Sequence, residues 1–253
     1  MKQVGYYLSL IFTFFAIQSN AQLELPKASP KASVSYTIGY TTVKIDYHSP
    51  AVQDRGLWGE LVPYDKIWRA GANNATTIEF DTDVKIEGKD LKEGKYAFFI
   101  IPKEGDESMW TAIFNTDTDQ WGAFDYDASK DALRVDFKPK DSGVNTERLT
   151  YSIHDQGQDR GYIKLAWGKK RIYLRFNMDL MEQAMANINS AIEKADDSKK
   201  WMILTQSAQF LLEQEKNLDL ALEWTRQSTA LKDHSWNWYV RGQLFAAKGK
   251  YQD

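Results

Sequence analysis

The chain has 253 residues, 32 Lys+Arg against 35 Asp+Glu, no cysteine, and a heavy load of 9 Trp, 13 Tyr and 12 Phe. The missing cysteines exclude disulfides, thiolate catalysis, thiolate-held metals and a cysteine-borne lipid anchor. The slightly acidic balance argues against a nucleic-acid or anionic-membrane partner, both of which want clustered positive charge, and the aromatic load suits a large β core.

Met1–Ala21 reads as an export signal rather than part of the fold. Lys2 supplies the positive end, Tyr6 to Ile17 is apolar, and Ser19-Asn20-Ala21 offers small residues for cleavage before Gln22. That apolar run is too short to span a membrane, and no later run is long enough. Cleavage near Ala21 removes one of the 32 basic residues and none of the 35 acidic ones, a net of −4. The expected compartment is periplasmic or secreted. Residues 22–31, with Pro26 and Pro30, read as an extended, poorly anchored leader.

Strands then follow quickly. Ser33–Ile38 and Thr42–Tyr47 make a hairpin around Gly39-Tyr40, with Val43, Ile45 and Tyr47 alternating against Lys44 and Asp46. His48 to Lys66 is a long loop, too apolar for disorder with Trp58, Leu61, Val62 and Tyr64, so it should fold back on the sheet. Thr76–Phe80 and Val84–Ile86 are short strands before the Glu87-Gly88-Lys89 turn. Tyr96–Ile101 is an almost unbroken apolar run, which predicts a central strand buried on both faces. Met109–Asn115, Leu133–Phe137, Leu149–Ile153, Tyr162–Trp167 and Arg171–Phe176 complete the set, the last two expected to pair as a hairpin across Gly168-Lys169-Lys170. About ten short strands at this spacing predict an antiparallel β-sandwich or barrel over residues 32–177.

At Asn177 the apolar period changes from two to 3.6. Leu180, Met181, Ala184, Met185, Ile188, Ala191 and Ile192 form one stripe behind a capping Asp179. Further helices are expected over Trp201–Glu215 (capped by Ser198), Leu218–Leu231 and Ser235–Lys248, so the fold class is α+β. Leu204 and Trp238, Ala208 and Gly242, and Leu211 and Phe245 stand 34 residues apart. With Gly249 and Tyr251 they resemble degenerate tetratricopeptide repeats over residues 178–253, which implies a helical surface for a protein or peptide partner.

Chemistry concentrates in Ile67–Phe80. Trp68 wants burial and a partner for its indole N–H. Arg69 keeps its charge, so inside the protein it needs a carboxylate, carbonyls or a bound anion, with Asp46, Glu60, Asp65 and Glu79 as candidate partners. Gly71 and Asn73 are the residue types that accept a positive φ. The stretch reads either as a strand-entry corner with a satisfied arginine or as a small pocket for a polar ligand. The candidate pocket gathers Arg69, Trp68, Asn73, Asn74, Arg55, Tyr64, Glu60, Asp65 and His48. His48, His154 and His234 lack metal-ligand spacing, and His234 reads as a solvated loop residue. Asn115-Thr-Asp117-Thr-Asp119 has the oxygen spacing of a calcium loop, but Gln120 and Tyr126 stand where glycine and glutamate are required. It therefore reads as a polar loop that Trp121 pins to the surface, and no metal or cofactor is expected.

One family carries much of this pattern. Tyr47, Pro50, Arg55-Gly56, Gly59, Leu61-Val62-Pro63-Tyr64, Trp68-Arg69-Ala70-Gly71-Ala72-Asn73 and Ala75-Thr76, continued by Gly88, Gly94, Tyr96, Pro102 and Trp110, resemble the DUF2911 family. These are exported bacterial proteins with no assigned reaction. The resemblance implies a fold extending to Phe176 and an export route. Two functions stay open: a non-enzymatic binding module with a helical interaction tail, and a hydrolase of a polar glycan or peptide with Glu60 or Asp65 as acid/base.

Overall fold

The computed structural model describes residues 25–249. The expected signal at 1–21, the start of the leader and Tyr251 lie outside them. Ten strands come first: β1 (Lys31–Ile38), β2 (Thr41–His48), β3 (Thr76–Phe80), β4 (Val84–Ile86), β5 (Lys89–Leu91), β6 (Gly94–Ile101), β7 (Trp110–Asn115), β8 (Asp131–Phe137), β9 (Lys140–Asp155) and β10 (Arg160–Asn177). They form two antiparallel sheets, a six-stranded one ordered β1-β2-β3-β6-β7-β8 and a four-stranded one ordered β5-β4-β10-β9. The inner faces share one core. Phe80 meets Phe176 and Tyr47 meets Tyr151 across it, at ring centroid distances of 6.0 and 4.8 Å. Each fully buried Ile or Phe there, such as Ile45, Phe80 or Phe98, contributes about 1.5–3 kcal/mol.

The run Tyr96–Ile101 is the central strand its composition predicts. Tyr96, Phe98 and Ile100 face the shared core. Ala97 and Phe99 face outward and join a second small cluster with Ala75 and Ile113, covered by Ala123 and Tyr126. The segment after β7 thus roofs the outer face. Trp121 does not pin that segment, since it is 64% exposed and stacked on exposed Phe124. Gln120 is buried, and Ala123 and Tyr126 are partly buried by packing on that cluster.

Tyr162–Trp167 and Arg171–Phe176 are not a hairpin. They are one continuous strand, β10, pairing with β9 from Gly161 to Arg171 and with β4 at Phe176 and Asn177, and the register with β9 slips around Gly168 and Lys170. Gly168 sits at φ +55, where an added Cβ would lie 2.6 Å from Leu57. Arg171 is buried and holds the bulge by donating to the carbonyls of Gly168, Lys170 and Val144 and to Thr146 Oγ1.

Four helices follow: α1 (Leu180–Lys194), α2 (Asp197–Glu213), α3 (Leu218–Leu231) and α4 (Ser235–Ala247). Asp179 caps α1 as expected, its carboxylate accepting from Glu182 N. The cap of α2 is Asp196 rather than Ser198, which instead donates its hydroxyl to Asp196. His234 is not merely solvated. It caps α4, accepting from Trp236 N at Nδ1, and its ring packs on Trp201. Leu204, Ala208, Leu211, Ala221, Trp224, Val240 and Leu244 form a core separate from the sandwich. Within it Ser228 Oγ bonds Thr205, Trp201 O and Asn237. The 34-residue pairs are not equivalent in burial: Leu204 is fully buried and Trp238 is 51% exposed. Among the described residues no helix is long and apolar enough to cross a membrane.

Candidate functional site

The long loop after β2 is ordered by backbone pairing. Val52 N donates to Glu147 O and Leu149 N to Pro50 O, which ties its start to β9. Its middle turns on bonds from Leu61 N to Gly56 O and from Val62 N to Leu57 O. Its end extends the six-stranded sheet past β3, because Trp68 exchanges two 2.8 Å bonds with Ile100 of β6. That anchoring drops the Trp68 side chain into the core beside Trp58, Trp110 and Trp167. Trp68 and Trp167 stack at 5.7 Å, and Trp58 touches all three others.

The chain must then reverse into β3 within a few residues, and it does so through left-handed backbone at Ala70 (φ 51) and Asn73 (φ 56). The Asn73 conformation is the expected one. Gly71 serves a different end. A Cβ there would lie 2.8 Å from Thr76 Oγ1 and 3.2 Å from His48 O, so the glycine permits close approach. The strained Ala70 is held by its carbonyl, which accepts from Thr76 Oγ1 at 3.0 Å and Tyr151 Oη at 2.8 Å. Burial drives the Tyr151 phenol well above its usual pKa. Gly71 O accepts from Trp68 Nε1 at 3.2 Å, and Arg69 O from Thr76 N. The carbonyls of residues 69, 70 and 71 are therefore all committed elsewhere, and none of these bonds comes from the guanidinium of Arg69.

That guanidinium lines a cavity of about 240 Å³ together with Pro50, Ala51, Gln53, Arg55, Leu61, Val62, Trp68, Gly71, Ala72, Trp167 and the leader residues Ala28 and Ser29. Arg69 is half-buried, and its Nε is buried with no hydrogen-bond partner among the described residues. Among the described residues no Asp or Glu lines the cavity. Burial alone lowers the Arg69 pKa, with no carboxylate opposing it. The expected ion pair is absent: Asp46 pairs with Lys44, and Glu60, Asp65 and Glu79 are exposed. Arg171 shows the contrast, a buried arginine with four acceptors. A second buried donor at the cavity, Trp167 Nε1, also lacks a partner.

Of the nine residues expected to form a pocket, the fold brings Arg69, Trp68 and Arg55 to this cavity. Arg55 is partly spent on its own loop, donating to Val52 O and Ala51 O. Asn73 bonds Ser29 O at 3.3 Å, so the leader is anchored at the rim, and Ser49 N donates to Pro30 O beside it. Asn74 is exposed and bridges to Trp121. Tyr64 packs on Gly59. Glu60 and Asp65 are exposed and are not among the residues that line the cavity. His48 is buried at the end of β2, its pKa lowered by burial and then by Lys27, Lys31 and Arg69. Trp167, Gln53, Ala28 and Ser29 lie at the site without having been expected. Only Trp167 carried a signal, a large aromatic beside a bulge glycine.

Elsewhere, Asn115–Asp119 is a polar turn in which Asn115 Oδ1 accepts from Asp117 N and Asp117 pairs with Lys130. Asn115 Nδ2 also bonds Asp131, whose carboxylate takes Tyr126 Oη and Arg134. Burial and Asp131 push the Tyr126 phenol up to about 12. His154 stacks on Tyr162 and bonds Ser152. Among the described residues, no group of three or more His, Asp or Glu is placed to hold a metal ion.

A family model described as a protein of unknown function (DUF2911) matches residues 29–176, the whole sandwich. No curated protein and no solved structure matches the chain.

Proposed function

This chain belongs to the DUF2911 family, and on that footing we propose that its sandwich is a non-enzymatic binding module whose ligand site is the Arg69 cavity. The observation that carries the reading is the half-buried guanidinium lining a cavity with its Nε unpartnered. An orphaned buried donor costs about 1–3 kcal/mol, and more when charged, so a fold that keeps one gains by filling the space beside it with an acceptor. The two carboxylates that a hydrolase would need are exposed and lie outside that cavity, which supports binding over catalysis. The N-terminal segment supports export with cleavage near Ala21, so the ligand would be met in a periplasmic or extracellular space.

The helices are read as a degenerate tetratricopeptide-like tail that presents a surface to a protein or peptide. Half-exposed Trp238 and exposed Tyr239 and Leu231 support this. The test of the ligand site is a thermal-shift screen of the purified chain against sugars, muropeptides and small acids. A stabilising hit that Arg69→Met abolishes establishes the site. Hits unaffected by that substitution place the ligand elsewhere and remove the reading.

A further inference from the structure

Resting on that reading, we infer that the Arg69 cavity takes a small organic monocarboxylic acid, its carboxylate on the guanidinium and its carbon skeleton against Trp68 and Trp167. The first argument is the polarity of what is missing. Both unpartnered buried polar atoms at the cavity, Arg69 Nε and Trp167 Nε1, are donors. Among the described residues nothing in its lining offers a carboxylate, although the chain carries 35 acidic residues. A cavity short only of acceptors selects a ligand rich in acceptors, and a guanidinium fork fits a carboxylate with two parallel bonds.

The second argument is charge. Arg69 is the one cation at the cavity with no acceptor among the described residues, since Arg55 already donates to two carbonyls. Arg55 is solvent-exposed, so its charge stays hydrated; the one half-buried positive charge of Arg69 is balanced by one negative charge, whereas a dianionic phosphate would leave an excess buried charge to desolvate. The surroundings reinforce the sign: buried His48 is affected by Lys27, Lys31 and Arg69 and by no carboxylate. The third argument is size and surface. Pro50, Val62, Trp68 and Trp167 make much of the wall apolar, and the volume is about 240 Å³. A dry cavity of about 150 Å³ suffices for benzene, so a ring or branched chain carrying one carboxylate fits.

The experiment titrates the purified chain with benzoate, benzamide, inorganic phosphate and glucose. Calorimetry and the fluorescence of the Trp68–Trp167 stack are the readouts. Arg69→Gln is run in parallel, its melting temperature confirming that it folds. Benzoate should bind with benzamide and phosphate at least about 10-fold weaker, and Arg69→Gln should lose about 10–100-fold toward benzoate, the worth of a charge-assisted pair. Benzamide or glucose binding as well as benzoate, with the loss in Arg69→Gln retained, overturns the carboxylate and leaves the cavity reading standing. Phosphate binding tighter than benzoate overturns the monoanion argument. Benzoate binding equally to Arg69→Gln, or no probe binding the wild-type chain, overturns this inference, and only the broader screen then decides the cavity reading.

Discussion

Replacing Arg69 by methionine should stabilise the ligand-free protein. Methionine keeps the length and flexibility of the aliphatic stem that packs beside Trp68 while removing the charge and the orphaned Nε. Nothing among the described residues loses a partner, because the side chain makes no hydrogen bond or ion pair there, and the backbone bonds of residues 69–71 remain. An unsatisfied buried donor costs about 1–3 kcal/mol. The half-buried guanidinium recovers part of that through solvent in the cavity, leaving a gain of about 1–2 kcal/mol on its removal. At about 2–4 °C per kcal/mol for a chain of this size, the melting temperature should rise by roughly 2–8 °C. The assay is thermal unfolding followed by tryptophan fluorescence, to which Trp58, Trp68, Trp110 and Trp167 contribute among the nine tryptophans, in a buffer free of carboxylate and phosphate. Adding a bound acid should reverse the order, since ligand stabilises only the chain that binds it. A fall of several degrees in Arg69→Met without ligand would refute the reasoning, because it would show that the guanidinium holds the fold together.

Three further outcomes follow from the same geometry. Gly71→Ala forces a Cβ to within 2.8 Å of Thr76 Oγ1 and 3.2 Å of His48 O, so it should cost about 1–3 kcal/mol by urea denaturation; an unchanged midpoint would mean the turn has room to spare. Tyr151→Phe strips one of two donors from the strained Ala70 carbonyl and should cost about 1–2 kcal/mol at neutral pH. The folded-state pKa values of Tyr151 and Tyr126 are both raised from 10. The unfolded chain therefore ionises at pH values where the folded one still holds its protons. Their contribution is complete below pH 10 and is lost as pH rises above it, so stability should fall between about pH 10 and about pH 12, less steeply in Tyr151→Phe. An alkaline slope identical in the two proteins would remove Tyr151 from this account. Ser228→Ala breaks the bonds joining Thr205, Trp201 O and Asn237 and should cost the helices about 1–3 kcal/mol. Far-UV circular dichroism should then show the helical transition moving while the strand signal of the sandwich stays in place.

Local periodicity and residue type carried much of the architecture. The period-two runs became strands, the two-sided apolar run Tyr96–Ile101 became the central strand, and the change of period at Asn177 falls at the end of β10. Asn73 took its left-handed turn and Trp68 found burial with a carbonyl for its indole, because both needs belong to the residues themselves. What depends on long-range pairing was decided only by the tertiary structure. Gly168-Lys169-Lys170 has the same local chemistry in a hairpin and in a bulge, and the long register with β9 selects the bulge. The positive φ fell on Ala70 rather than Gly71, whose glycine instead answers to the neighbouring β2 backbone and Thr76, which leave no room for a Cβ. Above all, four carboxylates stood near Arg69 in sequence and none reaches it in space: Asp46 turns to Lys44, while Glu60, Asp65 and Glu79 face solvent. An ion pair is a fact about distance between side chains on separate elements. The chain itself dictated that an arginine would enter this corner, and only the packing of β2, β6, β9 and the leader left it there without a partner among the described residues.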